Sequence, residues 1–242
     1  MKRKLAAGLV IILGAAAGLF LLHGKIVHHT VSDWAVVATV NNEPIYAREF
    51  KVGMAEKRAE IYAYFKRAYG VDGGKTFWTD HYGQESPIDR IRKITLDELV
   101  EFKVQQILLK AYGIQADIGY KSFVAAWEDT NKQRQEDLKH NKAIYGPVAY
   151  GEAEFFKYQF HNRVNLLKSK LSGHELGLSD DKLRQTYDKE KNGLFAGQEF
   201  GDVKQIIKFK FIDQAYEEWI VRQMEEADVR IDAKVYNAIQ AV

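Results

Sequence analysis

Two short β-type segments near opposite ends of the chain constrain its fold most. Trp34–Val40 alternates weakly and is rich in valine, alanine and threonine, the composition of a strand. Asn41-Asn42 follows, a pair suited to a two-residue type I′ turn, in which both residues need positive φ. Glu43–Tyr46 then returns, and Pro44, which has no amide proton to give a ladder, makes this an edge strand. A hairpin this small is not stable alone. The natural partner lies far along the chain, in ADVRID (227–232), where Val229 and Ile231 alternate with charged residues. The expectation is a mostly α protein with a small β-sheet. Residues 34–242 would form one discontinuous domain whose ends are stapled together by that sheet.

The segments between these strands read as helices. Phe50, Met54, Ile61 and Phe65 fall on one face, Glu49 sits where a capping box places its acid, and Tyr69-Gly70-Val71 is a glycine stop. Ser86-Pro87 opens a second helix as N-cap and N1, with Ile88, Ile91, Thr95, Leu99, Phe102 and Leu109 in line, ending at Tyr112-Gly113-Ile114. Residues 117–141 read as a polar helix with an apolar patch at Phe123, Ala126 and Trp127, either a solvent-facing arm or an ill-packed helix. Glu152–Leu171 carries the stripe Phe156, Phe160, Val164, Leu167 and Leu171. A short helix after Ser179 carries Leu183 and Tyr187. A long helix from Gly201 to Glu226 carries the row Val203, Ile207, Phe211, Ala215 and Trp219, flanked by Ile206, Ile212, Tyr216 and Ile220. Val235–Ala241 adds a terminal helix anchored by Tyr236 and Ile239.

The N-terminus carries a separate signal. Lys2, Arg3 and Lys4 precede an uncharged run from Leu5 to Leu22, long enough at about 1.5 Å per residue to cross a bilayer core. One reading is a signal peptide cut after Ala15-Ala16-Ala17. The preferred reading is an uncut signal anchor, a transmembrane helix over 1–22 followed by a linker over 23–33, with the basic residues holding the N-terminus in the cytoplasm. The protein is then expected at the cell membrane as a single-pass protein, with the bulk of the chain extracytoplasmic.

Chemistry-bearing constellations are sparse. The 242-residue chain has no cysteine, which removes disulfides, thiol catalysis and thiolate metal sites. Its net charge of +2 gives no field directed at nucleic acid. His28-His29 lacks a third ligand at suitable spacing, and His174-Glu175 lacks the second histidine of a zinc motif, so no metal and no cofactor is expected. Glu152 and Glu154 fit the first turn of a helix better than an acid/base pair, and His81 reads as a surface loop histidine. The informative excess is aromatic, with 13 Tyr, 13 Phe and 4 Trp. Large amphipathic rings on an adaptable surface can grip polypeptide with little sequence preference. Phe77, Trp78 and Tyr82, in the Gly-rich loop DGGKTFWTDHYGQE, are candidate peptide-binding residues, together with Tyr62 and Trp127. The competing reading is that such rings fill space between helices, and it is favoured for Phe155 and Tyr158.

VATVNNEPIYAREF resembles the opening of the SurA/PrsA-type extracytoplasmic chaperones and peptidyl-prolyl isomerases. LVEFKVQQILLKAYGIQ is similar to their second helix, GLSDDKLRQTYDKEKNGLF to their exit segment, and YEEWIVRQMEEADVRID to their closing helix and strand. The resemblance covers residues 34–114 and 176–236, and it implies a helical chaperone domain that holds unfolded or newly secreted polypeptide clients. A parvulin isomerase domain usually follows the exit segment in this family. Here only Ala196–Phe200 separates that segment from the closing helix, far too few residues for a domain. The expected function is therefore a membrane-anchored chaperone, a holdase without catalysis. An isomerase of the same family and an assembly factor dedicated to one partner are the alternatives.

Overall fold

A computed structural model describes residues 31–241. The hairpin is formed by β1 (Val36–Val40) and β2 (Glu43–Tyr46), antiparallel, with Val40 opposite Glu43. Asn41 and Asn42 have φ of 48° and 68°, as the turn requires. The third strand, β3 (Val229–Ile231), pairs antiparallel with β1, Ala38 facing Ile231 and Val40 facing Val229. The order is β2-β1-β3, so β1 is central and Pro44 lies on an edge strand. Asn41 ties the ends together further: its N–H donates to the Asp228 carbonyl at 2.9 Å and its Oδ1 accepts from the Asp228 N–H at 2.8 Å.

Between β2 and β3 run six helices: α1 (Ala47–Tyr69), α2 (Pro87–Ala111), α3 (Tyr120–Lys139), α4 (Glu152–Leu171), α5 (Asp180–Glu190) and α6 (Phe200–Glu225); α7 (Ala233–Ala238) follows β3. Their ends obey local rules. Ser86 Oγ accepts from the Asp89 N–H at 3.2 Å, with Pro87 in the first turn. Gly70 is left-handed at φ 69° and returns its N–H to the Lys66 carbonyl. The main core lies between the sheet and the α1–α2 pair, with Val37, Val40, Ile45, Phe50, Phe65, Ile91 and Val100 buried. Ile239, just past α7, is 1% exposed in that same core. The carbonyl of Ile239 accepts from Arg92 Nε at 3.0 Å and Nη2 at 2.6 Å, and that of Asn237 from Nη2 at 2.7 Å. A second apolar cluster joins Leu109 to α4 (Phe160, Val164, Leu167, Leu171) and to the C-terminal half of α6. A third, smaller one joins Leu183 and Phe195 to Val203 and Ile207.

Three expectations are corrected. Among the described residues no helix is long and apolar enough to cross a membrane. The fold class of the described residues is thus mostly helical with a small three-stranded sheet. The segment 1–22 read as a transmembrane helix lies outside the described residues, and the single-pass, cell-membrane localisation that depended on it is withdrawn. On α6 the buried row is Val203, Ile207, Ile212, Tyr216 and Ile220, while Ile206 is exposed. The buried face rotates along this helix because its first half packs on α5 and its second half on α2 and α4. Glu49 is the third case, since it is a buried ionic residue and not merely a capping acid.

Candidate functional site

The long helices leave a groove where the α3–α4 arm meets the α1–α2 pair. Gly53 lets α1 approach α2 closely, since a Cβ there would lie 2.9 Å from Thr95 Cγ2. To one side of that contact α1 presents Val52, Glu56 and Glu60, and α2 presents Glu98, Leu99 and Phe102. The start of α3 adds Tyr120 and Phe123, and the first turns of α4 add Glu152, Ala153, Phe156 and Lys157. These residues enclose a cavity of about 150 Å³. The aromatic part of its lining is continuous, with ring centroids 5.4 Å apart for Phe102 and Phe156 and 5.5 Å for Phe123 and Phe156.

Polar contacts hold the arm in place. Arg48 grips the Glu152 carboxylate through Nε at 3.1 Å and Nη2 at 2.9 Å, and the Tyr120 hydroxyl donates to the same carboxylate at 2.5 Å. The hydrogen bond to Glu152 raises the Arg48 pKa. Burial, reinforced by Glu152, pushes the Tyr120 hydroxyl far up. Lys157 pairs with Glu56, and Lys57 with Glu98 at 2.8 Å, so both lysines of the groove are already engaged. The far end of the arm is stitched to its own loop: Trp127 Nε1 donates to the Tyr150 carbonyl at 2.8 Å, and Asn131 both donates to and accepts from the Tyr150 backbone.

Glu49, 4% exposed, also belongs to the groove lining. Lys103 Nζ, itself buried, lies 3.6 Å from Glu49 Oε1, while Glu49 Oε2 has no hydrogen-bond partner. Burial pushes the Glu49 pKa up, against the opposing pull of Lys103 and the Tyr46 backbone. Glu60, on the rim, is exposed and makes no ion pair among the described residues. A second recess of about 220 Å³ lies beyond the wall made by Phe123 and Phe156, lined by Gln106, Gln115, Gln159 and Arg163 among others. There Gln106 Oε1 is buried without a partner.

The aromatic candidates read from the sequence fall in two places. Phe77 is 1% exposed, stacked on Tyr62 with centroids 4.6 Å apart and edge-on to Phe65 at 5.8 Å. Trp78 and Tyr82 are partly buried, Trp78 edge-on to Tyr62 at 5.3 Å and Tyr82 edge-on to Phe65 at 5.4 Å. These four rings dock the loop onto α1 and extend the main core. Glu85 completes the dock by accepting from the Tyr64 hydroxyl at 2.7 Å, the Tyr69 hydroxyl at 3.0 Å and Arg90 Nη1 at 2.9 Å. Trp127 stands apart from them on α3, with Arg48 5.8 Å from its ring centroid. The groove residues Val52, Glu60 and Glu98 carry no sequence signal, and Phe102 and Phe156 read only as members of apolar stripes. Grooves of this kind come from the spacing between helices, which periodicity does not encode.

Comparison with known proteins adds one relative. A protein of Bifidobacterium longum subsp. longum named "Chaperone for lacto-N-biosidase" is 24% identical over 201 residues, covering 82% of this chain and 72% of that protein. No family model matches the chain, and no solved structure does. The SurA/PrsA likeness read from the motifs finds no support in these matches. The chain is thus similar, over most of its length, to a protein named as a chaperone.

Proposed function

We propose that this protein is a chaperone dedicated to one client protein, which it holds by reversible contact along the groove between α1, α2 and the α3–α4 arm. The likeness to a protein whose name specifies a single client carries this reading, because it spans 82% of the chain and so takes in every element that lines the groove. The groove suits the task physically. It joins an apolar aromatic lining to polar groups, the combination that lets a binding surface hold a polypeptide without a cofactor. Client contact is placed there first. Trp78, Tyr82 and Tyr62 can offer only partly exposed edges, Phe77 none, and Trp127 one edge on the arm.

The alternative is a general holdase with weak affinity for many unfolded chains, favoured by the exposed rings of Tyr145, Tyr158 and Phe209. Deleting the gene in the organism that encodes it, and comparing protein abundances with a complemented strain, separates the two. The dedicated chaperone predicts that one protein is lost or inactive and is restored by complementation. Loss spread over many proteins, together with suppressed aggregation of an unrelated denatured protein, would favour the general holdase. A faster proline-limited refolding step would favour an isomerase instead.

A further inference from the structure

We infer that the recess beyond the Phe123–Phe156 wall is a carboxylate site, in which Arg163 receives an acidic group of the client. This rests on the chaperone reading and adds to it a second contact, outside the groove. The first argument is the arginine itself. Its Nη2 donates to Gln159 Oε1 at 2.6 Å, and among the described residues that is its one hydrogen bond, so Nε and Nη1 are unspent. A guanidinium drawn partly out of water ordinarily has a partner. The other arginines in that position do: Arg48 has Glu152, Arg90 has Glu85, Arg92 and Arg134 hold backbone carbonyls, and Arg58 lies 5.5 Å from the Trp78 ring centroid. Arg163 has one neutral amide. Burial accordingly lowers its pKa, with no acidic neighbour to oppose it.

The second argument is the space beside it. The recess of about 220 Å³ has room for one acidic side chain, and its apolar walls, Phe123, Phe156 and Phe160, strengthen a charge pair formed against them. The anion that a polypeptide client supplies is a carboxylate, whose planar pair of oxygens matches the guanidinium fork. The acid already in the lining does not serve. Asp117 Oδ1 accepts from the Gly119 N–H at 2.8 Å, the Ser122 hydroxyl holds the same carboxylate, and it makes no ion pair with Arg163. Gln106 Oε1 is sealed beneath the surface of the recess and takes no part in the contact.

The test uses the full chain and peptides carrying an N-terminal BODIPY label and an amidated C-terminus, with a Leu-X-Phe core in a Gly/Ser background, X being Glu, Asp, Gln or Lys. A further Gln peptide ends in a free carboxylate. Fluorescence anisotropy should show the Glu peptide binding at least about fivefold tighter than the amidated Gln peptide. Tightest binding of the free-carboxylate peptide would instead make the chain end of the client the source of the same group. Arg163→Gln should erase the preference, and Arg163→Lys, which keeps the charge and loses the fork, should retain part of it. Arg163→Met, which keeps the stem and removes a charge with no partner, should leave the melting temperature unchanged or raise it. A fall of more than about 4 °C would mean that the charge is already satisfied within the fold and overturns the proposal. So does equal affinity for all the peptides, binding of none, or a carboxylate preference that survives Arg163→Gln. If the preference is absent while the deletion strain still loses its one client, the carboxylate site fails and the chaperone reading stands. If no client depends on the gene, the chaperone reading itself fails.

Discussion

Ile239→Ala tests whether the two ends of this chain are joined as the structure shows. Ile239 is 1% exposed, the first residue past the end of the six-residue helix α7, in the core shared by β1, α1 and α2. The substitution removes three carbons, worth about 0.8 kcal/mol each in transfer free energy, or about 2.4 kcal/mol. The cavity left behind adds to this wherever the surroundings do not collapse, which brings the total to about 3–4 kcal/mol. Collapse is limited here, because the Ile239 carbonyl is clamped by Arg92 Nε and Nη2. In a domain of this size about 1 kcal/mol corresponds to roughly 2–4 °C in melting temperature, so the loss is about 6–16 °C. Thermal and urea denaturation of the full chain measure it, the urea midpoint falling at unchanged slope. Exchange protection of the β1 amides should fall in parallel, since β3 and the tail leave together. A melting temperature within about 2 °C of wild type would refute the argument, because it would mean that the tail contributes nothing to the core it appears in.

Three further perturbations test other parts of the reading. Phe77→Ala is expected to cost about 3–5 kcal/mol, as for a fully buried ring, measured by the same denaturation; a variant of unchanged stability that has lost only client contact would show the loop rings to be a binding surface and not a dock. Glu85 should add acid sensitivity to the loop: burial pushes its pKa up, but hydrogen bonds from Tyr64, Arg90 and Tyr69 outweigh this and leave it depressed, so its contribution is present above the unfolded carboxylate pKa and lost as pH falls through the folded one. Stability against pH for Glu85→Gln should therefore converge with wild type in acid and diverge towards neutral, and parallel curves would contradict this. Glu49 and Lys103 call for a double-mutant cycle: Glu49→Gln or Lys103→Met alone strands a buried partner and should cost about 3–5 kcal/mol, whereas Glu49→Leu with Lys103→Met together should recover most of the loss, and simple additivity would show that the two do not act as a pair.

The sheet and the helix ends were legible in the sequence because they are set by local chemistry. Asn41-Asn42 takes positive φ, Pro44 has no proton to donate, Ser86-Pro87 caps and Gly70 turns left-handed whatever lies around them. The pairing of β1 with β3 was legible too, because a hairpin with one free edge and one distant alternating segment have few other solutions. What was not legible depends on which helix meets which. The burial of Glu49 could not be seen at its own position, where an acid three residues after a helix start is ordinary; it depends on Lys103 facing it from α2. Arg92 likewise looked like one more charged residue on a helix, yet it holds the last carbonyls of the fold. On α6 a regular spacing predicted one straight buried row, and the change of partner from α5 to α2 and α4 shifts it by a residue. The aromatic loop carried a real signal of docking, and the face it docks on is its own α1.

The same distinction bears on how a chaperone of the kind proposed could resemble its relative at 24% identity and hold a client of its own. Residues that fix the frame, such as the turn asparagines, the Gly53 contact and the Arg92 clamp, are constrained from several sides at once, and changing any of them costs the fold. Residues that face the groove are constrained from one side. Val52, Glu60 and Ala153 each have freedom towards the cavity, so the lining can be recut by one or two substitutions without touching the frame. Specificity for a single client needs such freedom, because discrimination is a difference between two affinities and is set as much by what the lining refuses as by what it holds.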